Sequence, residues 1–372
     1  MDLFLVERVS ELAVAIQQIG APTFEEGQRA KFVLARFQRE GLKDVSIDEI
    51  GNVYARLPGD GIAPPLIISA HLDTVFPAST PLEVIRRDDW VCGPGIGDNS
   101  VGVASLFGLA WTLREERIEL PGDLWLVGDV GEEGLGDLRG MRAVVARFGD
   151  QPLAYLILEG MALGQIYHRG LAVRRYRITA QTEGGHSWVD FGKPSAVHEL
   201  AGLVTRLADL TLPTEPRTTL NVGVIAGGTT VNTIAAEAHL EVDLRSEMVD
   251  SLEGLVTELK ALVRKANRSG VSFKVEVIGD RPAGEIPPDH PLVRLAARSL
   301  VAIGIRPNLS IGSTDANIPL SLGLPAVCIG MVLGEGAHTQ TEQIFIPSLA
   351  QGLRQLLMNV RGAYRTLWHA PD

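Results

Sequence analysis

Two adjacent glutamates, Glu132 and Glu133, stand in the glycine-rich turn "GDVGEEG", directly after an apolar run. Repulsion between like charges and partial burial both disfavour ionisation of neighbouring carboxylates, so the pair needs a physical explanation. Either both side chains are simply hydrated, or a strongly positive group lies beside them. The choice depends on which other ligating side chains the fold brings to the same place.

Four further segments place an oxygen or nitrogen ligand after an apolar run or in a glycine-rich loop: "SAHLDT", "GPGIGDNSVG", "LILEG" and "GEGAHTQTE". With the glutamate pair they offer His71, Asp73, Asp98, Glu132, Glu133, Glu159 and His338. Imidazole and carboxylate without thiolate suit Zn²⁺, and also Mn²⁺ or Co²⁺. Two divalent ions would neutralise most of the cluster's charge, so the sequence predicts a two-metal site.

The elements that carry these ligands are short apolar runs separated by helical stretches. "PLIISAHLDT", "DLWLVGDV", "AYLILEG" and "PAVCIGM" predict buried strands, and "SVGVASLFGLAWTLREE" predicts a helix. Continuous apolar strands that alternate with helices are typical of a mostly parallel sheet covered on both faces. Open sheets of this kind build their sites where the chain leaves the strands. Thr23 and Glu26 fit a capping box at the start of a further helix.

The pattern changes near residue 172, where "RRYRITAQTEG" and later "AHLEVDLRSE" alternate polar and apolar residues. Such alternation indicates a sheet with one hydrated face. Residues 174–278 follow the order βαββαβ, which is that of a small ferredoxin-like sandwich. We therefore predict an α/β domain in two parts, residues 1–172 and 283–372, with an α+β domain inserted at 173–282.

Length and composition exclude several classes of protein. The 372 residues exceed the roughly 250–300 at which a single core splits into domains. The net charge of −11 argues against nucleic acid as a partner. Charged residues interrupt the apolar N-terminal stretch, and no run approaches the roughly 20 apolar residues needed to cross a bilayer. We therefore expect no membrane partner. Only two cysteines occur, Cys92 and Cys328, so we also expect no disulfide framework and a cytoplasmic protein.

Taken together, the five motifs resemble those of the peptidase M20 family of co-catalytic metallopeptidases and deacylases. The resemblance covers nearly the whole chain in order, including the inserted domain. It implies a discontinuous zinc-exopeptidase-like domain and an inserted ferredoxin-like lid through which the chain forms a homodimer. It also implies two divalent ions, of which Zn²⁺ is the first expectation, and hydrolysis of a small peptide or an N-acyl-amino-acid.

The same resemblance assigns the metal ligands by position. His71 and Glu159 would bind one ion, and Asp98 would bridge both. Glu133 and His338 would bind the second ion. The two glutamates of the pair would then have different roles, because one would hold metal and the other would move protons.

Catalytic and substrate-binding roles are carried over in the same way. Glu132 would take a proton from the attacking water and pass it to the leaving nitrogen, and Asp73 would hold the ring of His71 in its tautomer. His186 of "TEGGHSW" matches a histidine that stabilises the oxyanion, in some members of the family from the partner subunit. The expected substrate-binding residues are Asn232, Arg245, Ser313, Thr314 and Asp315.

Several alternatives stay open at this point. "GIGDNSVG" and "GSTDANIP" favour a peptidase T-like aminopeptidase or di/tripeptidase, whereas acetylornithine deacetylase and succinyl-diaminopimelate desuccinylase usually carry "DMKGG" where Asn99 and Ser100 follow Asp98. An N-acyl-amino-acid deacylase is the runner-up, and a non-catalytic binding homologue is the rival from another class. His186 could be a surface histidine, and Arg245 could be a sheet-edge charge. A nucleotide-binding loop at "GPGIGD" is disfavoured, because its spacing is not GxGxxG.

Overall fold

The computed structural model describes residues 3–368 and divides the chain into two compact units. One, here called the discontinuous unit, comprises Met1–Gly170 and Gly284–Asp372. The other, the inserted unit, is Leu171–Ala283. Within the described residues, no helix combines the length and apolar character needed to span a membrane.

The helices are α1 (Leu3–Gln17), α2 (Gly27–Arg39), α3 (Val101–Glu115), α4 (Arg139–Phe148), α5 (Ala196–Ala208), α6 (Val249–Ala266), α7 (Pro291–Ala302), α8 (Asn317–Ser321) and α9 (Leu349–Leu367). The strands are β1 (Lys43–Ile47), β2 (Val53–Leu57), β3 (Leu66–His71), β4 (Ile85–Arg87), β5 (Trp90–Cys92), β6 (Leu124–Asp129), β7 (Ala154–Glu159), β8 (Gln165–Gly170), β9 (Ala172–Thr182), β10 (Gly185–His186), β11 (Thr218–Gly227), β12 (Thr233–Ile234), β13 (Glu237–Ser246), β14 (Val271–Arg281), β15 (Gly284–Glu285), β16 (Asn308–Gly312), β17 (Ala326–Gly330), β18 (Leu333–Glu335) and β19 (Gln343–Phe345).

The main sheet of the discontinuous unit has the order β1-β2-β6-β3-β7-β17-β8-β15, with β16 paired to β8. The four apolar runs predicted as strands are β6, β3, β7 and β17, and they lie side by side and parallel at its centre. Every residue of β3 and β17 is buried, as expected for strands covered on both faces. The predicted α/β class with a mostly parallel sheet is confirmed.

Helix α3 is apolar almost all round because other elements surround it. Its buried residues run without a break from Val101 to Leu113. Helix α1 packs so closely on it that a Cβ on Gly108 would lie 2.8 Å from a methyl group of Val9. Phe107 stacks on Phe37 of α2, with ring centroids 4.6 Å apart. This packing fixes the start of α3, and with it the turn that carries Asp98.

The inserted unit has a four-stranded antiparallel sheet in the order β11-β13-β9-β14. Helices α5 and α6 contribute Leu200, Leu203 and Leu259 to a core with the sheet residues Ile178 and Leu240. With α5 and α6 as its crossovers, this is the ferredoxin-like βαββαβ arrangement predicted from the sequence.

The predicted capping box at Thr23 and Glu26 is wrong. Glu26 is the N-cap of α2 by position, but no side chain caps the helix. The hydroxyl of Thr23 instead donates to Asp73 at 2.8 Å, and the carboxylate of Glu26 accepts from Arg139 at 2.7 Å. Hydrogen bonds to charged partners are stronger than neutral ones, so these contacts win over the helix amides.

The chain enters and leaves the inserted unit at adjacent positions. Strand β8 ends at Gly170 and β15 begins at Gly284, and these two residues pair in an antiparallel register. The insertion therefore connects to the main sheet through two neighbouring strand ends.

Candidate metal centre

The carboxylate of Asp98 lies between two histidines. Its Oδ1 is 3.1 Å from Nε2 of His71, and its Oδ2 is 3.1 Å from Nε2 of His338. Each histidine faces one further carboxylate: Glu159 Oε2 lies 3.7 Å from His71 Nε2, and Glu133 Oε1 lies 3.2 Å from His338 Nε2. The five residues thus form two groups of three donors that share Asp98.

The parallel strands explain why these donors meet. His71 ends β3 and Glu159 ends β7, and the two strands are neighbours. Glu133 follows β6, which is the neighbour of β3 on its other side. Parallel neighbours end at one edge of the sheet, so ligands that are far apart in sequence come together there.

The carboxylates of the cluster favour positive charge beside them, and the pKa values of the two histidines show this effect. Burial opposes protonation of His71, but the facing carboxylates outweigh it and raise the pKa of His71 well above its usual range. Asp98 and Glu133 raise the pKa of His338 to about 10. Burial raises the pKa of Glu159. The pKa of Asp98 is lowered, because the two imidazoles outweigh its burial.

Asp73 is fully buried and holds the glutamate turn rather than the ring of His71 through its carboxylate. Its Oδ1 accepts the amide of Glu132 at 3.0 Å, and its Oδ2 accepts the amide of Glu133 at 2.9 Å. Nδ1 of His71 lies 3.0 Å from the main-chain oxygen of Asp73, but 3.6 Å from its carboxylate. A separation of 3.6 Å is too long for a hydrogen bond, so the main chain fixes the tautomer.

Gly160 allows the turns of Glu159 and Asp98 to approach each other. A Cβ at this position would overlap the carbonyl oxygen of Gly97 and lie 2.7 Å from a methyl group of Val101. The close approach of backbone to backbone requires glycine here.

Glu342 is a site residue to which sequence reasoning gave no role. It is fully buried, and its carboxylate accepts amides from Gly95, Gly97 and Asp98. Burial raises its pKa to about 7 against the opposing effect of these amides. The signal in the sequence was an acidic residue that closes the His338 motif "GAHTQTE".

The three loop residues expected to bind substrate, Ser313, Thr314 and Asp315, follow β16. Asp315 is fully buried, and burial beside Asp129 raises its pKa well above the usual range. Thr314 is 8% exposed, and its hydroxyl accepts the amide of Ala316. Of the three, Ser313 has the most accessible position in the discontinuous unit.

Within the inserted unit, a two-stranded ribbon brings His186 and Asn232 together. His186 on β10 pairs with Thr233 on β12, and the amide of Ser187 donates to the carbonyl of Asn232 at 3.0 Å. Nδ1 of His186 accepts the amide of Trp188 at 3.2 Å. A neutral ring whose Nδ1 accepts must carry its proton on Nε2, so the exposed side chain presents a donor.

Arg245 lies on β13 of the four-stranded sheet, and its guanidinium is held by a carboxylate of that strand. Its Nε donates to Asp243 Oδ1 at 2.6 Å, and its Nη2 donates to Oδ2 at 3.3 Å. Asp243 also accepts from Arg175 at 2.8 Å. The guanidinium of Arg245 is therefore oriented by a carboxylate of its own strand, with its side chain 40% exposed.

The donors fit a divalent metal ion. His71, Asp98 and Glu133 each offer one ligand atom, and these atoms lie within 4.8 Å of one another. Asp98 Oδ1 is buried and accepts no hydrogen bond, although His71 lies beside it. A buried carboxylate oxygen left without a hydrogen bond is costly, and a cation between these donors would satisfy it.

Comparison with known proteins agrees with this geometry. Protein YqjE of Bacillus subtilis is 26% identical over 361 residues, which cover 93% of this chain and 95% of the relative. A putative [LysW]-lysine/[LysW]-ornithine hydrolase of Pyrobaculum aerophilum is 28% identical over 357 residues, covering 95% and 96%. A tripeptidase structure from Staphylococcus aureus has the same fold, with a TM-score of 0.79 at 23% identity and coverage of 97% and 99%.

Residues 67–359 match the model of a known enzyme family, and this span includes the candidate ligands from His71 to His338 and the whole inserted unit. The resemblance found in the five motifs is confirmed. The chain belongs to peptidase family M20/M25/M40.

Proposed function

We propose that this protein is a two-metal hydrolase that cleaves the amide bonds of short peptides, as an aminopeptidase or a di/tripeptidase. The observation that carries the proposal is the position of Asp98, whose two oxygens each face a different histidine and carboxylate. The tripeptidase that shares the fold supports the choice of substrate.

In this mechanism His71, Glu159 and Asp98 would hold one ion, while His338, Glu133 and Asp98 would hold the other. Zn²⁺ suits these donors best, with Co²⁺ or Mn²⁺ as substitutes. When bound, such ions lower the pKa of water to about 7 and polarise a carbonyl group.

Glu132 accepts a proton from the attacking water and donates it to the nitrogen of the breaking C–N bond. The backbone amide of Glu132 donates to Asp73, and this hydrogen bond fixes the backbone position from which the side chain extends. Nε2–H of His186 donates a hydrogen bond to the substrate oxygen as negative charge develops there. The proposed substrate contacts are Asn232, Arg245 and Ser313, with Arg245 as the partner of a carboxylate. Thr314 and Asp315 are buried, and we propose that they fix the shape of the loop that carries Ser313.

Substitution of Glu132 tests the proton transfer. We expect Glu132→Gln to lower kcat by about 10²–10⁴-fold, because an amide cannot accept the proton. Metal content should stay at the wild-type level, since Glu132 holds no ion. Glu25→Gln, in the exposed turn before α2, is the control and should leave kcat unchanged. A wild-type rate in Glu132→Gln would remove Glu132 from the mechanism.

Substitution of His186 tests the oxyanion contact. We expect His186→Ala to lower kcat by about 10²–10³-fold while both ions remain bound. His198→Ala, on the exposed face of α5, is the matched control. Equal rates in the two variants would make His186 a surface residue.

A second candidate function is hydrolysis of an N-acyl-amino-acid or another linear amide. The name of the Pyrobaculum aerophilum relative, which is 28% identical, favours it. Metal-loaded protein incubated with Ala-Ala-Ala, acetylornithine and succinyl-diaminopimelate separates the two. Release of alanine from the tripeptide supports the peptidase, and turnover of the acylated substrates alone establishes the deacylase. Bound metal without turnover of any panel substrate would favour a binding protein.

We also propose a cytoplasmic homodimer that forms through the inserted unit. Strand β11 is at the edge of its sheet and exposes Val224 and Ile225, at 43% and 55%. An exposed apolar edge strand is a site where a second chain pairs. The two cysteines are both unpaired, as in reducing compartments. Sedimentation that shows a monomer would contradict the dimer.

A further inference from the structure

Glu342 binds the turn that precedes helix α3 through a set of backbone amides. Its Oε1 accepts the amides of Gly97 and Asp98 at 2.6 and 2.8 Å, and its Oε2 accepts the amide of Gly95 at 3.3 Å. The carbonyl of Glu342 also accepts the amide of Gly93 at 2.8 Å. One residue therefore takes hydrogen bonds from four amides in the segment 93–98.

Main-chain hydrogen bonds in this turn run from Ile96 to the carbonyl of Gly93 at 3.2 Å and from Ser100 to the carbonyl of Gly95 at 3.3 Å, and they leave the amides of Gly95, Gly97 and Asp98 to the carboxylate of Glu342. Gly95 has φ of 73°, and residues Ile96–Ser100 form one irregular turn before α3. Buried backbone amides need a partner, and the loss of one costs about 1–3 kcal/mol. Bonds to an ionised carboxylate are shorter and stronger than those to a neutral acceptor.

Glu342 also belongs to the loop that carries His338. The amide of Glu342 donates to the carbonyl of Thr339 at 3.2 Å, and Thr339 donates to Gly336 at 3.0 Å. The side chain thus connects the His338 loop to the Asp98 turn, although the two segments are about 244 residues apart in sequence. The side chains of His338 and Asp98 themselves meet, with 3.1 Å between Nε2 and Oδ2.

We propose that Glu342 is a positioning residue, which fixes the bridging carboxylate of Asp98 relative to His338 by binding the amides of the Asp98 turn. The inference rests on the proposed role of Asp98 as a bridging ligand. Glu342 itself binds no metal, because both of its oxygens are taken by amides. Ligand positions must hold to about 0.5 Å for tight binding, and hydrogen bonds behind the ligands supply that precision.

The variants Glu342→Gln and Glu342→Ala differ in how many amides lose their acceptor. Glutamine keeps one oxygen, which can still accept from Gly97 and Asp98, and it places an NH₂ group against Gly95. Alanine removes every side-chain acceptor. Glu342→Gln is therefore the variant that keeps the fold, and Glu342→Ala shows the full effect.

Asp123→Asn provides a matched control. Asp123 accepts a hydrogen bond from the amide of Gly59 at 3.0 Å, and it forms an ion pair with Arg56. It precedes β6, at the end of the strand opposite to Glu132 and Glu133. This control removes a carboxylate that binds backbone without touching the ligand turns.

The experiment measures Co²⁺ and Zn²⁺ affinity and stoichiometry, the visible absorption spectrum of the Co²⁺ protein, and kcat and KM. We expect Glu342→Gln to weaken metal binding by roughly 10–100-fold, to shift the Co²⁺ bands and to lower kcat with little change in KM. Asp123→Asn should lower Tm and leave metal affinity and the spectrum unchanged.

Two results would contradict the positioning role of Glu342. If Glu342→Gln binds both ions with wild-type affinity and gives the wild-type Co²⁺ spectrum, Glu342 does not position Asp98. If Glu342→Gln and the control Asp123→Asn weaken metal binding equally, the effect is general destabilisation and the inference also fails. Failure of the wild-type protein to bind any divalent ion would instead overturn the proposed function.

Discussion

The inserted sheet and the edge of the parallel sheet both carry many carboxylates, but these carboxylates have different partners. On the inserted sheet, Arg177 on β9 faces Glu241 on β13 in the strand register, with 2.6 Å between Nη2 and Oε1. Arg175 faces Asp243 in the same way at 2.8 Å. Both of these carboxylates have a guanidinium beside them, and both pairs are partly accessible to water.

At the edge of the parallel sheet, Asp98, Glu133 and Glu159 form ion pairs with imidazoles. Backbone amides and close glycine contacts hold this cluster together instead, as at Asp73, Gly160 and Glu342. The paired charges contribute slightly to stability, whereas the clustered ones oppose it unless cations bind there, as we propose. Substitutions in the two regions should therefore separate stability from activity.

The largest effect is expected at Gly160. In Gly160→Ala the new methyl group would overlap the backbone of Gly97, so the turns of Glu159 and Asp98 must move apart. We expect loss of metal binding, at least a 100-fold lower kcat/KM, and destabilisation of roughly 1–3 kcal/mol. Metal analysis and thermal unfolding measure both.

Gly254→Ala is the control for that change. Gly254 lies within α6 of the inserted unit, and nothing lies within 4 Å of a Cβ at this position. Alanine in a helix interior should stabilise by up to about 1 kcal/mol and leave kcat/KM unchanged. Retained metal and activity in Gly160→Ala would show that the two ligand turns tolerate separation.

An intermediate effect is expected at Asp73. In Asp73→Asn one oxygen becomes an NH₂ group, so the amide of Glu132 or Glu133 loses its acceptor. We expect kcat to fall by roughly 10–100-fold and metal affinity to fall with it. Steady-state kinetics and metal titration test this. The matched change on the inserted sheet, Glu241→Gln, should alter neither quantity, and equal effects would remove the distinction between the two regions.

The smallest effect is expected for the Arg177–Glu241 pair. A double-mutant cycle with Arg177→Gln and Glu241→Gln should give a coupling energy of about 0.2–1 kcal/mol, because the Arg177 side chain is 42% exposed and water screens the pair. Urea unfolding at low and high salt measures it, and salt should reduce it. A coupling above about 2 kcal/mol would show that these charges support the fold as strongly as a buried network.

The sequence was sufficient to predict the central strands and the meeting of their ligands. Four apolar runs predicted β3, β6, β7 and β17, because strands buried on both faces leave no polar alternation. The residues that follow them converge because parallel neighbours share an edge. The βαββαβ order of the inserted unit was predictable for a related reason, since its sheet alternates hydrated and buried residues.

What could not be predicted depends on contacts between distant segments. Thr23 has the sequence context of a helix cap, but Asp73 reaches it from 50 residues away. The partners of the Asp73 carboxylate are amides about 60 residues further along. Glu342 and Gly160 gain their roles from the turn at Gly97, and local propensity contains no information about that approach.

The pairing of Gly170 with Gly284 has a consequence for the architecture. The ends of the insertion are already neighbours in a β-ladder, the spacing that an ordinary hairpin turn closes. A short loop at this point would preserve the pairing of β8 with β15, so the ladder itself does not require the long inserted segment.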